Sequence, residues 1–159
     1  VPDITFHGDR AYTIDEQVLV TCTVTDNLSG VASDDCGAPK ADAPAWGIAY
    51  ANGLGTHGVD ATATDVAGNT AYETSSYSLA VTHGSLIALT RFFVTHDGTE
   101  TALVATLTAA ESSRNRGNAN AERGQLGAYL NQVKAQSGKR LTTHQANVLT
   151  FLATALRDQ

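Results

Sequence analysis

Methionine is absent from the 159 residues, tryptophan occurs once, cysteine twice and proline three times. Charged residues make up only 16%, well under the quarter usual for globular domains, and aromatic residues only 6%. No run approaches the 18 consecutive apolar residues that a membrane-spanning helix needs, so no membrane span is expected. A formal net charge of -6 argues against a nucleic-acid partner, since such binding rests on neutralising phosphates. An apolar share of 42% argues equally against a disordered chain. With no methionine and Val1 first, we expect a processed or excised piece of a longer precursor, its signal peptide already removed.

What is present is unevenly distributed. Residues 1–83 carry Arg10 and Lys40 against eleven acids, a net charge of -9, whereas residues 84–159 carry eight cations against five acids, a net charge of +3. Both cysteines, the tryptophan, all three prolines and four of the five tyrosines lie in the first part; three of the four phenylalanines lie in the second. A change of composition this sharp, at Thr82-His83-Gly84, reads as a boundary between domains at 1–82 and 85–159. Each is small enough for its stability to be marginal.

The first part has a period of two. Val18, Val20, Cys22 and Val24 alternate with Leu19, Thr21, Thr23 and Thr25, and the alternation returns at Val59, Ala61 and Ala63 and at Tyr77, Leu79 and Val81. Asp26-Asn27-Leu28-Ser29-Gly30 and Asp65-Val66-Ala67-Gly68-Asn69 supply turns, and Gly37 to Ala45 reads as a long surface loop. The second part has a helical period. Leu86, Leu89, Phe92 and Phe93 mark a helix from about Ser85. Leu103, Leu107 and Ala110 mark a second, capped by Thr99, and Leu126, Tyr129, Leu130 and Val133 a third. Thr142-Thr143-His144-Gln145 forms a capping box before Val148, Leu149, Leu152 and Leu156. The expected fold is therefore two-domain, β then α: a small antiparallel immunoglobulin-like β-sandwich followed by an antiparallel four-helix bundle.

The words CTVTDNLSGVAS and GTHGVDATATDVAGNTA resemble bacterial extracellular immunoglobulin-like domains of the HYR and Big types. LIALTRFFV, ERGQLGAYLNQVKAQSGK and LTTHQANVLTFLATAL resemble the FIMAH domain, a short helical module. The resemblance covers nearly the whole chain, in an order familiar from the C-terminal accessory tails of large secreted bacterial hydrolases. It implies a secreted, extracellular, non-catalytic appendage of an upstream catalytic domain in the same precursor. The ligand of such appendages is generally unassigned; the leading expectation is a spacer or tether for the hydrolase, with weak binding to polysaccharide or cell-wall polymer. The alternative is an autonomous adhesion or self-assembling extracellular protein.

In a chain that looks secreted, Cys22 and Cys36 read as a disulfide rather than two buried thiols. Closing that loop stabilises by roughly 3 kcal/mol in the chain-entropy account. Asp65 reads as the anchor of its turn, or else, with Asp26, as part of a calcium site; no D-x-D-x-D loop is present, which favours the turn and leaves no cofactor expected. His7, His57, His83, His96 and His144 lack the pairings of a zinc site, and no G-x-S-x-G motif is present, so no enzyme is expected. Trp46, Tyr50 and Asn52 are candidates for carbohydrate binding, with Tyr12, Tyr72 and Asp42 as further possibilities. For Trp46 the reading as a core side chain against the Cys22–Cys36 bridge is the favoured one. Arg114, Arg116, Lys139 and Arg140, with Arg123 and Lys134, form either an anionic-polymer patch or ordinary solvated helix ends.

Overall fold

Alternating burial organises the first part of the chain. In the computed structural model, which describes residues 1–44 and 53–159, the strand β3 (Val18–Thr25) buries Val18, Val20 and Cys22 and exposes Leu19 and Thr23. It is flanked by β1 (Asp3–His7), antiparallel to it with Phe6 opposite Cys22, and by β5 (Ala41–Ala43), also antiparallel. A second sheet has the order β2-β7-β6-β4, built from β2 (Ala11–Thr13), β4 (Val31–Asp34), β6 (Gly55–Asp65) and β7 (Thr70–Ala80). Ile4, Cys22, Ala61 and Ala63 form a buried cluster, with Phe6, Val24, Cys36 and Ala71 packed against it.

Two expectations for these strands need correction. The segment read as a loop from Gly37 to Ala45 contains β5, because Ala41 and Ala43 find backbone partners opposite Val20 and Val18. The expected antiparallel immunoglobulin-like sandwich is corrected to two sheets of three and four strands: β2 runs parallel to β7, with Tyr12 opposite Leu79, so the four-stranded sheet is mixed. The cause lies at Gly8, where φ is +78° and an added Cβ would stand 2.1 Å from the Leu19 carbonyl oxygen. Only glycine fits there, and it lets the chain leave β1 and step onward to the edge of the other sheet instead of folding back. The Tyr12 hydroxyl holds this step, donating towards the Gly8 carbonyl at 2.6 Å and the Leu19 carbonyl at 3.0 Å.

The chain divides into two compact units, Val1–Ala80 and Val81–Gln159. The second contains α1 (His83–Phe93), α2 (Asp97–Asn115), α3 (Ala119–Gln136) and α4 (Thr143–Arg157). α1 packs on α2 and α4, α2 on α3, and α3 on α4. The expected antiparallel four-helix bundle is also corrected. α1 has 11 residues and α2 has 19; at 1.5 Å per residue they span roughly 16 Å and roughly 28 Å, so α1 cannot be a full-length fourth member. Among the described residues the architecture is strands first, then four unequal helices.

Caps set the helix limits. The Thr142–Gln145 box is formed as read, with Thr142 Oγ1 accepting from the Gln145 N–H at 3.1 Å. α1 starts two residues before Ser85, because Thr82 and Ser85 make a second box. His96, not Thr99, caps α2, its Nδ1 accepting from the Thr99 N–H at 3.3 Å. Leu86, Leu89, Leu103, Leu107, Leu126, Leu149 and Leu152 fill the core, whereas Phe92, read on the buried face, is exposed.

Candidate functional site

In the strand unit, the structure joins Cys22 to Cys36 by a disulfide, tying β3 to the segment after β4. Asp35 lies beside it, ion-paired with Lys40 at 2.7 Å and accepting the Thr62 N–H at 3.0 Å. Cys22, Cys36 and Asp35 have ligand atoms close enough for a metal, but sulfurs bonded to each other offer no thiolate.

Asp26 and Asp65, far apart in sequence, meet at one end of this unit, because the β3–β4 and β6–β7 turns adjoin: the Val66 N–H donates to the Gly30 carbonyl at 3.0 Å. Asp26 Oδ1 accepts the N–H groups of Ser29, Gly30 and Leu28 at 2.8, 3.0 and 3.1 Å. The Ser29 bond, then those of Leu28 and Gly30, hold the Asp26 carboxyl down at about 2 against the opposing effect of desolvation. Asp65 accepts the Asn69 N–H at 2.8 Å and the Asn69 side-chain amide at 2.7 Å, the latter being the main reason its carboxyl lies below its usual range. The α-amino group of Val1 lies 3.3 Å from Asp26 Oδ2 and 3.5 Å from Asp65 Oδ2. Calcium asks for six to eight oxygens; here the two carboxylates are largely occupied by their own turns.

The carbohydrate candidates Trp46, Tyr50 and Asn52 lie outside the described residues. Tyr12 is buried under the Arg10 guanidinium, which sits 3.9 Å above its ring, whereas Tyr72 is exposed and Asp42 lies exposed in β5. His57, half-buried in β6, stacks on Tyr77 at 5.1 Å, and its Nε2 is 3.2 Å from the Gly53 carbonyl. His7 Nε2 is 3.0 Å from Thr23 Oγ1.

In the helical unit, the four basic candidates divide into two pairs. Arg114 and Arg116 end α2 beside the start of α3, while Lys139 and Arg140 follow the end of α3. The 18 residues of α3 separate the pairs by roughly 27 Å. Lys139 and Arg140 line an open groove with Phe93, Thr95 and Thr142.

The first pair adjoins a feature that the sequence did not reveal. Glu122, in the first turn of α3, is buried, with its Oε1 3.1 Å from Nε2 of the buried His83 and its Oε2 3.5 Å from the Arg114 guanidinium. The favourable end of the α3 dipole and these two partners make a buried carboxylate tolerable. Even so, neither Glu122 Oε1 nor His83 Nε2 has the alignment of a hydrogen bond. Glu122 forms part of the wall of a cleft of about 330 Å³ lined also by Arg114, Asn120, Arg123, Arg157 and Asp158. Arg157 pairs with Asp158 at 3.2 Å, while Arg123 reaches only the Arg157 carbonyl, at 3.5 Å. The sequence shows Glu122 as an ordinary first-turn acid, and nothing in its local pattern signals burial.

A second buried polar pair serves packing. The Thr90 hydroxyl donates to the Leu86 carbonyl at 2.8 Å, so its oxygen is left to accept from the Tyr129 hydroxyl at 2.7 Å. Burial raises the Tyr129 phenol well above its ordinary range, keeping it a neutral donor.

Comparison of the chain with family models, with curated proteins and with solved structures finds no match.

Proposed function

We propose that the chain is a non-catalytic accessory region of a larger secreted bacterial hydrolase, acting as a spacer or tether through weak binding to polysaccharide or cell-wall polymer. The observation that supports this reading is that, among the described residues, several side chains suited to catalysis or metal binding are engaged in holding the fold. Both cysteines are in the disulfide, Asp26 and Asp65 bind their own turns, His57 stacks on Tyr77, and His96 caps a helix. A disulfide suits an oxidising compartment outside the cytosol. Among the described residues no helix is long and apolar enough to cross a membrane. The resemblance to immunoglobulin-like and FIMAH modules supplies the bacterial hydrolase context.

The test is retention of the chain on insoluble glycans and on purified cell wall, at low and high salt. We expect retention at low salt that weakens as salt screens the basic helical unit; passage through both materials at low salt sinks the tether. An autonomous self-assembling protein is the second reading. It is favoured by Leu28 and Val66, exposed by 94% and 68% on the adjoining turns. A scattering mass that climbs with concentration would select it over the accessory tail.

A further inference from the structure

We propose that the groove between α3 and α4 binds an N-acetylated amino sugar, held by the side-chain amides of Asn131 and Asn147. This names a ligand and a place for the tethering reading and rests on it. The two walls carry one pattern. On α3, Leu130 and Asn131 are followed by Lys134; on α4, Ala146 and Asn147 are followed by Thr150. Residues three apart share a helix face, so each wall sets two polar side chains beside an apolar one. With Ser137 they line about 320 Å³, at the small end of ligand-binding clefts. The fold makes no use of these polar groups: among the described residues, Asn131, Lys134, Asn147 and Thr150 have no side-chain hydrogen bond or ion pair. Gln132, the neighbour of Asn131, differs, since its side-chain carbonyl accepts from the Thr106 hydroxyl of α2 at 3.1 Å.

An acetamido group fits this set of partners. A side-chain amide both donates and accepts, so the two asparagines can pair with the acetamido carbonyl and N–H together. The acetamido methyl meets Leu130 and the buried Ala146. Lys134 and Thr150 are left for ring hydroxyls, or for the carboxylate that a muramic acid unit adds. A plain hexose offers neither the methyl nor the amide. The groove also has room to continue. Gly127 precedes Asn131 by one turn of α3, and an added Cβ there meets nothing within 4 Å. Glycine weakens a helix interior relative to alanine. No packing contact requires this one, and its bare face leaves a track for a second sugar unit.

The experiment is NMR titration of the isotope-labelled 159-residue chain with three ligands. They are tri-N-acetylchitotriose, cellotriose, and the disaccharide of N-acetylglucosamine and N-acetylmuramic acid. We expect saturable shifts of the Asn131 and Asn147 side-chain amide signals with both N-acetylated ligands and none with cellotriose. Tighter binding of the disaccharide names cell-wall glycan as the source of the ligand; tighter binding of chitotriose names a chitin-like chain. Asn131→Ala and Asn147→Ala, both exposed, should each weaken binding about fivefold, the loss of a hydrogen bond. Gly127→Leu should melt no earlier than the parent and still weaken chitotriose, because its side chain blocks the track. Tyr72→Ala, exposed in the strand unit, should bind within about twofold of the parent. Equal shifts with cellotriose, or binding that survives the double Asn131→Ala/Asn147→Ala substitution, overturns the site. Retention on cell wall with no shift from either N-acetylated ligand overturns the site and leaves the tether standing. Binding lost in the double variant, in a chain that passes through insoluble glycans and cell wall alike, keeps the site and removes the tether.

Discussion

Where residues 1–80 combine Tyr12, Ile14, Val18, Val20, Tyr77 and Leu79 with the small Ala61 and Ala63 and a disulfide, residues 81–159 fill their core mainly with leucines around Tyr129. The strand unit has short edges, β2 and β5 having three residues each, and where Ala61 and Ala63 face the disulfide each side chain buries little apolar area. A covalent link compensates by limiting the freedom of the unfolded chain. The helical unit has no cysteine; Leu107, Leu126, Leu149 and Leu152 are fully buried, and polar caps satisfy the helix starts. Two units of nearly equal length thus meet the problem of marginal small-domain stability in different ways.

The contrast can be broken by substitution. Leu107→Ala should cost the helical unit about 2–5 kcal/mol through lost burial and a residual cavity, read as an earlier loss of helical circular dichroism in denaturant. Removing the cross-link by Cys22→Ala with Cys36→Ala should cost the strand unit about 3 kcal/mol and leave the helical signal in place. Equal sensitivity of both signals to that pair would show that the cross-link does not act on the strand unit alone. Tyr12→Phe should cost about 1–2 kcal/mol, since the Gly8 and Leu19 carbonyls lose a shared donor; an unchanged strand transition would mean that water replaces the hydroxyl.

Acid sharpens the comparison most finely. The folded carboxyl of Asp26 lies at about 2, below its ordinary 3.8. A depressed carboxyl stabilises the folded state above the unfolded value, and that contribution fades as pH falls through 3.8 towards 2. Asp65 shifts in the same direction. Strand-unit stability should therefore decline over this window, and Asp26→Asn should flatten the decline; an equally steep decline in the variant would place the acid sensitivity elsewhere.

Local pattern revealed much of this organisation and little of the cleft. The alternation at Val18, Val20 and Cys22 and the Thr142–Gln145 box were legible because neighbours in sequence determine them. β5 was not, since a three-residue strand has almost no period and exists by pairing with β3. The parallel entry of β2 depends on Gly8 approaching Leu19, eleven positions away, and no local window contains both. The four basic candidates looked like one patch as a list, and the length of α3 makes them two pairs.

The amino-acid order by itself determined the switch from two-fold to helical periodicity, the turns at Asp26 and Asp65 and the Thr142–Gln145 cap, because each depends on groups a few bonds apart. Tertiary structure alone decided the mixed sheet and the placement of Glu122 between His83 and Arg114. Those features arise from groups distant in sequence competing for one space, and only the folded packing shows which of them meet.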